Sequence, residues 1–328
     1  MHRITVFAMA ALVVGALARG TGAQQLLETF PVVGTPIPGW THYVSPWTVK
    51  DVGGGDTRAE SGPAGHTYLV RTNSPAVIGA VHATATGVTA TCNGGVLFRF
   101  DSSITNGIRA YGASSGGQNA YAVLMIEAPG VGRQFVSLLP NRTKNLVCRL
   151  LVQGTEARGQ FDIDPPDGKW DYELGLTGVP TTGTDWGVYA WNTSWLDDVK
   201  FFDAVIFRRS TFGQPNLGTT VPLDLYAPTA NAPYLLIPSL TSGMVRLPNG
   251  WFGPIIPDAL SGAAPHLPAI FQGFTGHLDG TGKATARLAI PNAPALAGIT
   301  VWLGGVVLDG RPSPSLLHLF NDERIDLW

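Results

Sequence analysis

Between residues 67 and 207 apolar side chains alternate in short runs, and glycine, proline, asparagine or serine cuts off nearly every one. VLFRFD (96–101), NAYAVLMIEA (119–128), RQFVSLL (133–139), NLVCRLLVQ (145–153), GQFDID (159–164), KWDYELGLTG (169–178) and DWGVYAWN (185–192) share that form. A period of two is the pattern of a strand with one buried face, and no stretch here repeats at 3.6. Regularly spaced short strands of this kind build sandwiches of antiparallel sheets. Composition agrees. Gly 41 and Pro 25 make up about a fifth of 328 residues, against an ordinary share of about 12%. Charged residues are 13% and hydrophobic ones 45%, enough for a substantial core. The expected fold class is all-β, with two β-sandwich domains.

The first 23 residues, MHRITVFAMAALVVGALARGTGA, place His2 and Arg3 before an apolar run from Ile4 to Ala18 and then small residues. That is the layout of a secretory signal peptide cut near Ala23. The run falls short of the ~20 residues that span a bilayer, and no later stretch is long enough. The expected protein is exported, to the cell surface, periplasm or medium, and has no integral membrane segment after cleavage. Without Arg3 and Arg19 it carries 19 basic and 23 acidic residues, a formal net of −4. With no basic patch, nucleic acid is excluded as a partner. Cys92 and Cys148 suit an oxidising compartment, and a bridge would close a 57-residue loop, worth about 4 kcal/mol in the chain-entropy description. Two buried thiols are the equal alternative.

At RRSTFGQPNLGTTV (208–221) the chain turns polar and afterwards proline becomes dense. The expected division is a leader (1–23), a first sandwich (24–210) and a second of about 115 residues (211–328). FRFD (98–101), NGIRAYGASSGGQNAYAVLMI (106–126), WDYELGLTG (170–178) and above all GVYAWNTSWLDDVKFF (187–202) resemble the concanavalin A-like, laminin G-type jelly roll. In that family the last of these would be the penultimate and final strands. PNLGTTVPLDL (215–225) and GFTGHLDGTGKATARLAIPNAPALAGITVWLGGVVLD (273–309) resemble a carboxy-terminal module of secreted planctomycete and myxobacterial proteins. That resemblance implies an immunoglobulin-like sandwich with no chemistry of its own.

Hydrolases of the concanavalin-like class commonly carry E-x-D-x-x-E on one strand. The six glutamates here, Glu28, Glu60, Glu127, Glu156, Glu173 and Glu323, do not begin that pattern. Asp171 and Glu173 share a strand face, as any solvated pair does. No zinc spacing or nucleophile elbow is present. His42, His66, His82, His266, His277 and His318 are scattered and read as surface or packing residues. Asp197 and Asp198 open the strand DDVKFFDAVIF, facing opposite ways. Hard cations want several oxygens, and the jelly-roll resemblance implies a structural Ca2+ held by Asp198 with Asp197, Glu28 and Glu60.

Six aromatic side chains, Trp170, Tyr172, Trp186, Tyr189, Trp191 and Trp195, fall within 26 residues. Sugar rings stack on exposed aromatics through their apolar C–H faces, and Asn192 lies close by to bond hydroxyls. Trp170, Tyr172, Trp186, Trp191, Trp195 and Asn192 are therefore the expected ligand contacts, with Trp186 and Trp195 favoured as strand-end residues. Tryptophan is equally a core residue of sandwiches. The reading is a secreted, non-catalytic protein that recognises carbohydrate or a cell-surface polymer. The alternatives are a glycoside hydrolase or lyase on the same fold, and a purely structural envelope protein.

Overall fold

A computed structural model describes residues 25–328 except 29–36, 38–39, 44–45, 54–55, 63–64, 72–78, 88–92, 102–106, 116–118, 129–131, 138–144, 164–169, 192–193, 204–205, 212–214, 242–244, 247–251, 254 and 312–315. The leader, Cys92 and Asn192 lie outside the described residues, as do the side chains of Glu28, Trp195 and Asp198. The chain forms two compact units, one containing Leu26–Asp203 and one containing Ala204–Trp328.

The first unit is built from β1 (Gln25–Glu28), β2 (Thr41–Tyr43), β3 (Trp47–Gly53), β4 (Asp56–Ser61), β5 (His66–Arg71), β6 (Gly79–Gly87), β7 (Asn93–Phe100) and β8 (Gly107–Ser115). It continues through β9 (Asn119–Ala128), β10 (Gly132–Ser137), β11 (Asn145–Gln153), β12 (Glu156–Ile163), β13 (Tyr172–Thr177), β14 (Asp185–Trp191) and β15 (Ser194–Asp203). One sheet has eight strands, ordered β13-β12-β11-β6-β15-β4-β3 with β1 on β15; the other has seven, ordered β10-β9-β8-β7-β14-β5-β2. The consecutive late strands β14 and β15 thus sit in different sheets, each between earlier strands. All the given pairings are antiparallel, and the two-residue period of the sequence becomes two faces per sheet.

The inner faces meet across a core of Val81, Ala83, Val96, Phe98, Leu124, Leu150, Phe161, Val188, Leu196 and Phe201, all buried. Phe201 stacks on Trp186 at 4.1 Å and packs against Phe98 at 5.9 Å, joining the sheets. Aromatic pairs of this kind contribute about 0.5–1.5 kcal/mol beyond their burial. Cys148 also points inward. It is a free thiol whose pKa burial pushes up to about 12; its expected bridge partner, Cys92, lies outside the described residues. Gly112 faces Leu146 of the opposite sheet so closely that a Cβ would lie 2.0 Å from a Leu146 methyl.

Two register irregularities lie beside the late strands β14 and β15. At the first, β14 slips against β7 between Asp185 and Gly187. There Arg99 adopts a left-handed φ of 55°, and its buried guanidinium donates to the carbonyls of Gly154 and Pro180, each at 2.6 Å. Gly183 approaches the Arg99 carbonyl with a φ of 102°, where a Cβ would sit 2.2 Å from that oxygen. At the second, β15 slips against β6 between Asp197 and Lys200. Asp197 lies opposite Thr84 on the outer face, and Val199 is fully buried. Simple alternation through SWLDDVKFF therefore breaks immediately after Asp197.

The second unit begins with β16 (Ile206–Arg209), followed by β17 (Thr220–Tyr226), β18 (Pro233–Ser239), β19 (Val245–Arg246), β20 (Phe252–Gly253), β21 (Phe271–Gln272), β22 (Thr275–His277), β23 (Lys283–Ala289), β24 (Thr300–Leu308), β25 (Leu316–Leu319) and β26 (Glu323–Asp326). A four-stranded sheet, β16-β17-β23-β21, and a five-stranded one, β22-β18-β24-β25 with β26 on β24, make its sandwich. Asn321 fastens β16: its amide accepts from Phe207 N–H at 2.8 Å and donates to Phe207 C=O at 2.7 Å. Arg209 Nε donates to Glu323 Oε1 at 2.7 Å, and both side chains are essentially sealed, at 1% and 0% exposure. Asp258 caps the five-residue helix Ala259–Ala263 and also accepts from Leu240 N–H and the Ser239 and Thr241 hydroxyls. Burial works to raise its pKa, but those bonds outweigh it and hold the carboxyl below its usual value.

Candidate functional site

The outer face of the seven-stranded sheet is unusually aromatic. Register places His66 opposite Trp191 and Tyr68 opposite Tyr189 across β5 and β14, with Tyr43 beside Tyr68. Gly95 of β7 separates Tyr189 from Tyr111 of β8, while Arg109 lies opposite Leu97. Tyr68, Val70, Leu97, Phe100 and Tyr189 form a buried cluster on this face, flanked by Tyr43 and Tyr111. Glycine at position 95 leaves room for its neighbours, since a Cβ there would collide with Tyr111 Cβ at 2.6 Å.

Arg109 stands in the middle. Its guanidinium lies 4.8 Å from the Tyr189 ring centroid, 5.8 Å from Tyr68 and 5.9 Å from Phe100, donates to Tyr68 Oη at 3.1 Å and is ion-paired with Glu127 of β9. A cation taken out of water needs such compensation, and ring quadrupoles plus one carboxylate supply it. Tyr189 is 1% exposed, but its hydroxyl lies 2.7 Å from His66 Nδ1. The imidazole in turn meets the Trp191 ring edge-on at 4.1 Å, and Trp191 is 39% exposed. The arrangement leads from a largely buried arginine paired with a half-buried glutamate, through tyrosine and histidine, to an indole at the surface.

The opposite outer face, on the eight-stranded sheet, is built from charge. Arg149 donates to Gln160 at 2.7 Å, Gln160 donates to Glu173 at 2.5 Å, and Arg158 lies 3.6 Å from Glu173. The Trp170 ring sits 4.9 Å from the Arg149 guanidinium. Glu60 is ion-paired with Lys50 on this face, and Asp197 lies on it too.

The predicted aromatic contacts therefore do not share a face. Trp186 is core, 4% exposed, because it is five residues from Trp191 on the same strand and so points the other way. Tyr172 pairs with Phe161 on the inner side, and only Trp191 and Trp170 are placed outward by their contacts. Trp170 and Tyr172 are two residues apart, but β13 begins at Tyr172, so strand alternation does not extend to Trp170. By register Trp195 lies opposite Thr86 and Glu60 on the eight-stranded sheet.

For the predicted cation, β1 hydrogen-bonds to β15, bringing the strand of Glu28 beside that of Asp197 and Asp198. Among the described residues no group of three or more His, Cys, Asp or Glu is placed to hold a metal ion. No helix among them is long and apolar enough to cross a membrane. The sequence reading missed Arg109, Glu127, Tyr68, Tyr111 and the role of His66. The available signal was the alternation in GIRAYG, which puts Arg109 and Tyr111 on one face.

No protein-family model matches the chain, and no curated protein matches it. Among solved structures it is similar to a carbohydrate-binding module of Bacillus subtilis, at 14% identity over 49% of this chain and 93% of that one, with a TM-score of 0.38. It is also similar to a β-glucanase of Bacillus licheniformis, at 14% identity over 56% of this chain and 99% of that one, TM-score 0.38. An alginate lyase of Alteromonas shows 7% identity over 54% of this chain and 92% of that one, TM-score 0.32.

Proposed function

We propose that this is an exported, non-catalytic protein that binds carbohydrate or a related surface polymer through the outer face of the seven-stranded sheet. The observation that carries the reading is Trp191. It is an exposed indole standing beside a half-buried imidazole and above a sealed tyrosine cluster. An apolar ring face with polar groups at its rim is the chemistry that holds a sugar, whose C–H face is apolar and whose edge is hydroxylated. A purely structural sheet would bury this tryptophan with its neighbours.

A hydrolase or lyase needs two carboxylates converging beside the aromatics. Glu127 and Glu173 lie on opposite outer faces, each paired with an arginine, which favours binding over catalysis. The structural calcium site belongs to the same proposal. The β1–β15 pairing supports it, whereas the Lys50 partner of Glu60 removes one ligand. A melting midpoint unchanged by chelator would remove the metal.

The test of binding is affinity electrophoresis of the full chain in gels carrying soluble β-glucan, xylan or alginate. Retardation by at least one polymer, lost in Trp191→Ala, is the expected result. Equal mobility in every gel, or retardation indifferent to that substitution, overturns the reading.

A further inference from the structure

Trp191 is the one large aromatic side chain of the first unit that is exposed among the described residues. An exposed indole at a strand end ordinarily samples several rotamers, and a ligand that stacks on it must select one at an entropic cost. Here its cross-strand partner, His66, contacts it edge-on, the two rings inclined at 68°. The imidazole is itself held from behind: Nδ1 lies 2.7 Å from Tyr189 Oη, and the His66 and Tyr189 rings stack at 27° with centroids 5.7 Å apart. Tyr189 cannot shift, because Tyr68 and Tyr111 pack against it at 5.5 and 5.1 Å and the Arg109 guanidinium lies over its face. Arg109 is fixed in turn by Glu127 and the Tyr68 hydroxyl.

We propose that His66 is the positioning residue of the Trp191 platform, holding the indole in one orientation through a chain anchored on the buried Arg109–Glu127 pair. Tyr189, at 1% exposure, touches no ligand and acts only through His66. Where the glycan reading above holds, this chain also sets affinity, because the ring is ordered before the sugar arrives. Loss of the support then costs about two- to tenfold in affinity, the scale of immobilising one side chain on binding.

The primary readout needs no ligand. The full chain is labelled with 15N in its tryptophan indoles, and the Trp191 resonance is identified by its disappearance in Trp191→Phe. In the wild type its 1H–15N heteronuclear NOE should match that of the core residue Trp186. Tyr189→Phe deletes one oxygen and keeps the ring, and His66→Ala removes the contact altogether. Both should lower the Trp191 value while leaving that of Trp186 unchanged. His66→Gln, whose amide can donate to or accept from Tyr189 Oη, should restore most of it. If Tyr189→Phe fails to fold, the contrast between His66→Ala and His66→Gln decides. An unchanged Trp191 value in both Tyr189→Phe and His66→Ala overturns the proposal, as does a drop of equal size at Trp186. Failure of the gel assay in wild type removes the glycan reading and leaves this result standing, so the two fail separately.

Discussion

Two arginine–glutamate pairs, Arg209–Glu323 in the second unit and Arg109–Glu127 in the first, differ in where they lead. Arg209 and Glu323 in the second unit are 1% and 0% exposed, and they join β16 to β26 beside the Asn321 clamp. Arg109 is as deeply buried in the first unit, but Glu127 is 17% exposed, and the cation lies under a tyrosine whose hydroxyl reaches toward the surface. The first pair ends in structure. The second ends at an exposed tryptophan. Burial of an ion pair alone therefore does not separate a structural site from a functional one; what the pair supports does.

The largest expected effect breaks the sealed pair. Arg209→Met leaves an uncompensated carboxylate at Glu323 and should cost about 3–5 kcal/mol in urea unfolding, with polysaccharide retardation unchanged in whatever protein remains folded. Replacing both partners by apolar residues should recover much of that loss. Arg109→Met should cost less, about 2–3 kcal/mol, since Glu127 can recruit water. It should also weaken retardation, and that added effect is what distinguishes the two pairs. A pure stability effect at Arg109 would erase the distinction.

Next in size is acid sensitivity in the second unit. Burial lowers the pKa of His318 to about 4, and its Nε2 lies 2.8 Å from the Thr229 hydroxyl. The folded state keeps this imidazole neutral, whereas the unfolded chain protonates near the ordinary value of about 6.5. Its contribution is thus complete above that pH and is lost as pH falls toward about 4. The urea midpoint should decline across that window, and His318→Phe should flatten the decline. The smallest stability effect belongs to Trp191→Ala, within about 0.5 kcal/mol as for other surface positions, yet it should cost about tenfold or more in affinity for the retarding polymer.

Much of this fold was legible because strand alternation is local. The segment GVYAWNTSWLDDVKFF was read as two late strands, and β14 and β15 occupy it. The same rule separates Trp186 from Trp191 by parity. It fails at Trp170, which precedes its strand, and beyond Asp197, where the bulge admits an extra residue. Neither a strand's start nor a bulge leaves a mark in the hydrophobic pattern. The aromatic residues crowded into 170–195 were expected to make one platform, but strands close in sequence fall in different sheets here. The site instead draws His66, Tyr68, Arg109 and Glu127 from β5, β8 and β9, where each residue alone is unremarked.

The amino-acid sequence by itself determined the all-β class, the period-two faces and the paucity of charge, because each depends on composition or on neighbours along the chain. Tertiary structure alone decided which aromatic face is core, which carboxylates are neutralised by arginine, and that His66 stands between a buried phenol and an exposed indole. Those are questions of register between strands separated by up to 123 residues. Hydrophobic patterning says which way a side chain points, but only pairing says what it meets.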